Sequence, residues 1–101
     1  MRRRKNDLLR RARLVIEFGW EKFRYQWSNG EVLGTALVLH DHDEMLRWAE
    51  TVDSVQCRWA FALWGIDGGH TDVNAGCAAT LAWFDSIRAE LAGNRPKPAT
   101  T

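Results

Sequence analysis

The chain has 101 residues, 46% of them hydrophobic and 27% charged, with a formal net charge of +1. Those totals bound one globular domain of ordinary composition. No apolar run of 18 residues is present, which excludes a helical membrane span, and no apolar run follows the basic N-terminus as a signal peptide requires. Six tryptophans are many for this length, and each can serve either as a large core side chain or as an interface anchor. Cys57 and Cys77 are not in a CxxC pair, so without an export signal the expectation is two reduced, buried thiols in a cytoplasmic protein. The charge is uneven. Residues 1–24 hold nine Lys/Arg against three acids, a net +6, and residues 25–101 hold a net −5. Such asymmetry bears on partners and not on fold.

Residues 1–6 read as a basic leader, 7–92 as the folded core and 93–101 as a polar tail. Asn6 is a good N-cap and Asp7 suits the helix dipole. Leu8, Leu9, Ala12, Val15 and Ile16 then recur at helical spacing, which predicts a helix over 7–18 closed by Gly19. In 22–28 the pattern changes: Phe23, Tyr25 and Trp27 alternate with polar residues, and Asn29-Gly30 follows. That combination allows a short β-hairpin, with 31–39 as the returning strand. The competing reading makes Val32 to Leu39 a buried helix, and the helical character of the remaining chain favours it. Asp41 with Glu44 predicts a capped helix over 41–52, with Met45, Leu46, Ala49 and Val52 as its apolar stripe. Residues 55–63 fit a strand by alternation and a helix by alanine content. Gly65, Gly68 and Gly69 then read as a break, after which Thr71 caps a long helix over 72–92 with Val73, Cys77, Leu81, Phe84, Ile87 and Leu91 on one face. The fold class is mainly α: about four helices, with a short β-hairpin around Asn29-Gly30 allowed and α+β as the alternative.

Three stretches, LLRRARLVIEFGW at 8–20, VLGTALVL at 32–39 and Trp64 with Gly69-His70-Thr71, carry a resemblance. On them the chain resembles a family of small uncharacterised proteins of actinobacteria and their phages. The resemblance implies a phage or actinobacterial origin and a compact, mostly helical fold. The family often has Trp-Asn-Asp at the turn, where this chain has Trp64-Gly65-Ile66, so a role for that Asn-Asp pair does not transfer.

The run His40-Asp41-His42-Asp43-Glu44 holds metal-ligand types, with His40, His42 and Asp43 as candidates. A helix N-terminus explains its acids equally well, and the expectation is no metal and no cofactor. The glycines at 65–69 precede a helix start, where backbone N–H groups can hold an anion, but the lysine and spacing of a phosphate-binding loop are absent. No nucleophile elbow occurs, and Cys57 lacks an activating setting, so the chain reads as a non-enzyme. A protein partner, or a second copy, is expected at Arg10, Arg13, Trp20, Arg24, Tyr25 and Trp27. The alternative is nucleic acid held by Arg2, Arg3, Arg4, Lys5, Arg10, Arg11 and Arg13.

Overall fold

The computed structural model describes residues 2–93; from residue 94 onward, the expected polar tail lies outside the described residues. Five helices follow one another: α1 Arg2–Phe18, α2 Asn29–Val38, α3 His42–Arg47, α4 Val52–Asn74 and α5 Ala78–Gly93. Among the described residues there is no strand.

The basic leader is part of α1. Arg and Lys are good helix formers, and tertiary contacts fix the first turns. Arg4 Nη1 donates to the Ala62 carbonyl at 2.7 Å, and Lys5 Nζ lies 3.6 Å from Glu90. Leu8, Leu9, Ala12 and Val15 form the buried face as expected, but Ile16 is 64% exposed.

Asn29-Gly30 opens a helix and is not a hairpin turn. Ser28, in extended conformation, closes a capping box: its Oγ accepts from Glu31 N at 3.2 Å, and Glu31 Oε1 accepts from Ser28 N at 3.0 Å. Val32 to Val38 are all buried, so their backbone must satisfy its own hydrogen bonds, and a helix does this. The preceding alternation belongs to tight turns. Arg24 N donates to Trp20 O at 2.8 Å and Trp27 N to Phe23 O at 3.1 Å.

Asp41 caps α3 as its spacing with Glu44 predicts, its Oδ1 accepting from Glu44 N at 3.1 Å. The helix ends at Arg47, however, because Ala49 turns to a φ of 60°. A second capping box, Thr51 with Ser54, then starts α4, so Val52 belongs to the next element.

α4 holds the main departure from the expected order. The break falls at Gly65 alone, with φ 81° and ψ −176°, a conformation essentially reserved for glycine. Gly68 and Gly69 lie within the following helical segment. Residues 52–64 and 66–74 fold back on each other: a Cβ placed at Gly69 would lie 2.9 Å from the Cα of Phe61, eight residues earlier. The His70 ring meets Phe61 edge-on at 4.9 Å. The long helix expected at 72–92 is also divided. Gly76 and Cys77, with φ of 75° and 61°, turn the chain into α5.

α2 packs against all four other helices. Its Leu33, Ala36 and Leu37 meet Leu8, Met45, Leu63, Phe84 and Ile87 in one buried cluster. The Trp59 indole lies over Gly34, where a Cβ would sit 2.5 Å from its Cζ2, and stacks against Trp83 at 5.8 Å. Arg88 closes the far end of α2, donating to Leu37 O at 2.7 Å and Val38 O at 3.2 Å.

Gly65→Ala and Gly69→Ala are each expected to destabilise the fold by about 1–3 kcal/mol, the first through backbone strain and the second through overlap with Phe61. Gly30→Ala, where an added Cβ meets nothing within 4 Å, is expected to be neutral or stabilising. Urea unfolding checks the contrast, and a neutral Gly69→Ala would contradict the close approach.

Candidate functional site

The turns at 20–27 dock on α3 through two carboxylates. Trp20 Nε1 donates to Asp41 Oδ2 at 2.8 Å. Arg24 grips Glu44 with both arms of its guanidinium, Nε to Oε2 and Nη2 to Oε1, each at 2.8 Å. Trp48 Nε1 donates to the same carboxylate at 3.1 Å. Glu44 is only 3% exposed. Burial alone would push its pKa up; the hydrogen bonds from Arg24 and Trp48, with the charges of Arg24 and Arg47, outweigh this and hold it below the usual value.

The rest of the turn is aromatic. Phe23 and Trp27 stack at 4.7 Å, and the Arg11 guanidinium lies 4.7 Å over the Trp27 ring. Arg11 also bridges Asp7 at 2.7 Å and Glu31 at 3.0 Å, which joins the turn to α1 and α2. Tyr25 touches Trp48 edge-on at 6.0 Å and is still 78% exposed.

Around this scaffold stands a set of apolar side chains facing solvent. Besides Tyr25, Ile16 is 64%, Phe18 54% and Leu46 65% exposed. They come from the end of α1, the turn and α3; the turn is joined to α3 through Trp20 and Arg24 and to Phe18 through Lys22, whose Nζ lies 5.6 Å over the Phe18 ring. A shallow, mostly apolar depression of about 180 Å³, lined by Met45, Leu46 and Val52, adjoins Leu46.

The six residues expected at a protein contact therefore divide. Trp20, Arg24 and Trp27 are half-buried and engaged within the fold. Arg10 pairs with Asp7 at 3.0 Å, while Arg13 and Tyr25 are exposed. Ile16 and Leu46 were expected to face the core and do not. Nothing in the helical spacing distinguishes them from their buried neighbours.

The basic set is dispersed in part. Arg3, Arg4 and Arg11 line a groove of about 360 Å³ between α1, α2 and α4, with Trp59, Asp7 and Glu31. Arg58, which sequence reasoning did not single out, lines its continuation with Ser28 and Gly30. Lys5 turns to Glu90, Arg10 to Asp7, and Arg2 and Arg13 face solvent.

Of the metal candidates, His40 follows the C-cap of α2 with φ 55°, while His42 and Asp43 sit in the first turn of α3. Among the described residues no three His, Cys, Asp or Glu side chains converge to hold an ion. At the glycine break, Thr71 is not an N-cap. Asp72 takes that role for α5 from the preceding helix. Its carboxylate accepts from Ala79 N at 2.8 Å, from Thr80 N at 3.1 Å and from the Thr80 hydroxyl. Trp64 Nε1 in turn donates to Thr80 Oγ1 at 3.0 Å. Burial raises the Asp72 pKa, but these donors more than offset it and hold the carboxyl ionised below its ordinary value.

No described helix is long and apolar enough to cross a membrane. Compared with protein-family models, curated proteins and solved structures, the chain matches none.

Glu44 titrates below its unfolded value of about 4.5, so its contribution to stability is complete above that pH and is lost as pH falls through the lower folded value. Glu44→Ala, which leaves Arg24 without its partner, is expected to cost about 3–5 kcal/mol at neutral pH. Urea midpoints of wild type and Glu44→Gln measured from neutral pH down into the acid range should converge as the pH falls. A constant gap would contradict the assignment.

Proposed function

We propose that this chain is a small non-enzymatic protein-recognition domain whose contact surface is the corner formed by the end of α1, the 20–27 turns and α3. The observation that carries the reading is the exposure of Phe18, Tyr25 and Leu46 on a scaffold fixed by the Arg24–Glu44 pair. Aromatic and aliphatic anchors held in place before binding lose little entropy on association, and solvent-facing apolar groups gain by leaving water for a partner. In this reading the protein acts in the cytoplasm of a bacterial host, is of phage origin as the family resemblance implies, and modulates a host factor or enters an assembly. The opposed charges of its two parts also permit association with a second copy.

A photo-crosslinking amino acid in place of Tyr25, introduced in bacterial cells, is expected to trap one discrete protein adduct, either a partner or a dimer. Leu46→Glu should reduce that adduct at least several-fold. The same probe in place of Ala89, exposed on α5, should give none. Equal labelling from both positions would sink the proposal.

A second reading, nucleic-acid binding, is favoured by one observation: Arg3, Arg4, Arg11 and Arg58 meet Trp59 along one groove. Guanidinium groups beside an indole suit a single strand, although Asp7 and Glu31 offset part of the charge. Binding of a fluorescent oligonucleotide should then fall steeply with salt and weaken in Arg3→Ser/Arg4→Ser. Salt-independent binding would exclude this groove.

A further inference from the structure

We propose that Cys57 and Cys77 are a reversible dithiol–disulfide pair that fastens the folded-back α4 to the start of α5. The pairing comes from the reversal at Gly65. Phe61 lies against Gly69 and His70, so the two segments of α4 run antiparallel about that residue. Continuing the register towards the open end sets 57 opposite 73, and the second segment ends one residue later at Asn74. Cys77, in the turn just beyond α4, therefore returns to the first two turns of the same helix. Its thiol neighbours that of Cys57, with the carboxylates of Asp53 and Asp72 nearby. Both cysteines are free thiols here.

The two differ in access. Cys77 is 6% exposed, whereas Cys57 is half-buried. Burial, the Cys57 thiol and the two carboxylates raise the Cys77 pKa, so Cys57 is the group that meets an oxidant first. With a low-molecular-weight disulfide as oxidant, the Cys57 thiolate attacks one of its sulfurs. The external S–S bond breaks, one small thiolate leaves, and a mixed disulfide forms on Cys57. Cys77 then loses its proton and attacks Cys57 Sγ, expelling the second small thiolate. The protein's two thiols are oxidised, and the small disulfide is reduced to two thiols that take up the two protons.

The resulting link closes the open end of the α4 hairpin, the end that Gly65 and the Phe61 contact do not fix. A covalent tie there removes unfolded-state freedom over a loop of intermediate length, and the midpoint of thermal unfolding should rise by on the order of 10 °C.

The test uses the full chain treated with oxidised glutathione at mildly alkaline pH. The expected product is a monomer about 2 Da lighter that carries no free thiol after denaturation and reverts with dithiothreitol. Cys77→Ser should stop at a stable glutathione adduct on Cys57. Two free thiols after treatment, an adduct on wild-type protein that never resolves, or a disulfide-linked dimer would each overturn the pairing. An intramolecular disulfide that leaves the thermal midpoint unchanged would overturn the fastening role.

Discussion

The Arg24–Glu44 pair is the constraint on which the candidate surface depends. A carboxylate as buried as Glu44 is tolerated only when charge and hydrogen bonds replace the water it has lost, and Arg24 and Trp48 supply both. A pair of this kind adds little net stability compared with apolar residues of the same shape. Its effect is geometric: α3 has only six residues and cannot hold itself, and the segment before α2 has only isolated tight turns. Each is ordered by the other, and Trp20 on Asp41 makes the same connection a second time. The exposed Tyr25 and Leu46 inherit their positions from these bonds.

Behind that corner the core is set by close approaches at glycine. Gly34 lets the Trp59 indole lie directly on α2, and Gly65 with Gly69 lets α4 reverse within a single residue. The reversal brings Trp64 to Thr80 and Asp72 to the first turn of α5, so the N-terminus of that helix is capped by a residue from the element before it. Tryptophans are central here. Trp59 and Trp83 fill the space between α4 and α5, while Trp20, Trp48 and Trp64 each spend an indole N–H on a named acceptor. The surplus of this residue type in the composition is thus largely structural.

The mainly helical class was legible, and so were the buried face of α1 and the Asp41 cap, because each is written in local spacing. The Asn29-Gly30 signal misled, since Ser28 and Glu31 close a capping box around it and burial of Val32 to Val38 decides the outcome. The three glycines looked like one loop. Only Gly65 has the backbone angles of a break, and Gly69 is small because Phe61 presses on it, a contact between residues that spacing alone does not pair. At the site, spacing singled out the segment 20–27 without separating the side chains that bond within the fold from those that face solvent. Trp20 and Arg24 serve the fold, and Phe18 and Leu46 reach solvent through helix ends that local patterns place poorly.

The central claim is that one buried ion pair positions the candidate surface more strongly than it supports the rest of the domain. Hydrogen–deuterium exchange on Glu44→Gln at neutral pH tests it directly. The account predicts a larger rise in exchange in 20–27 and α3 than in the amides of α4 and α5, which change only by the global loss of stability. Uniform acceleration across all five helices, or unchanged exchange at 20–27, would contradict it.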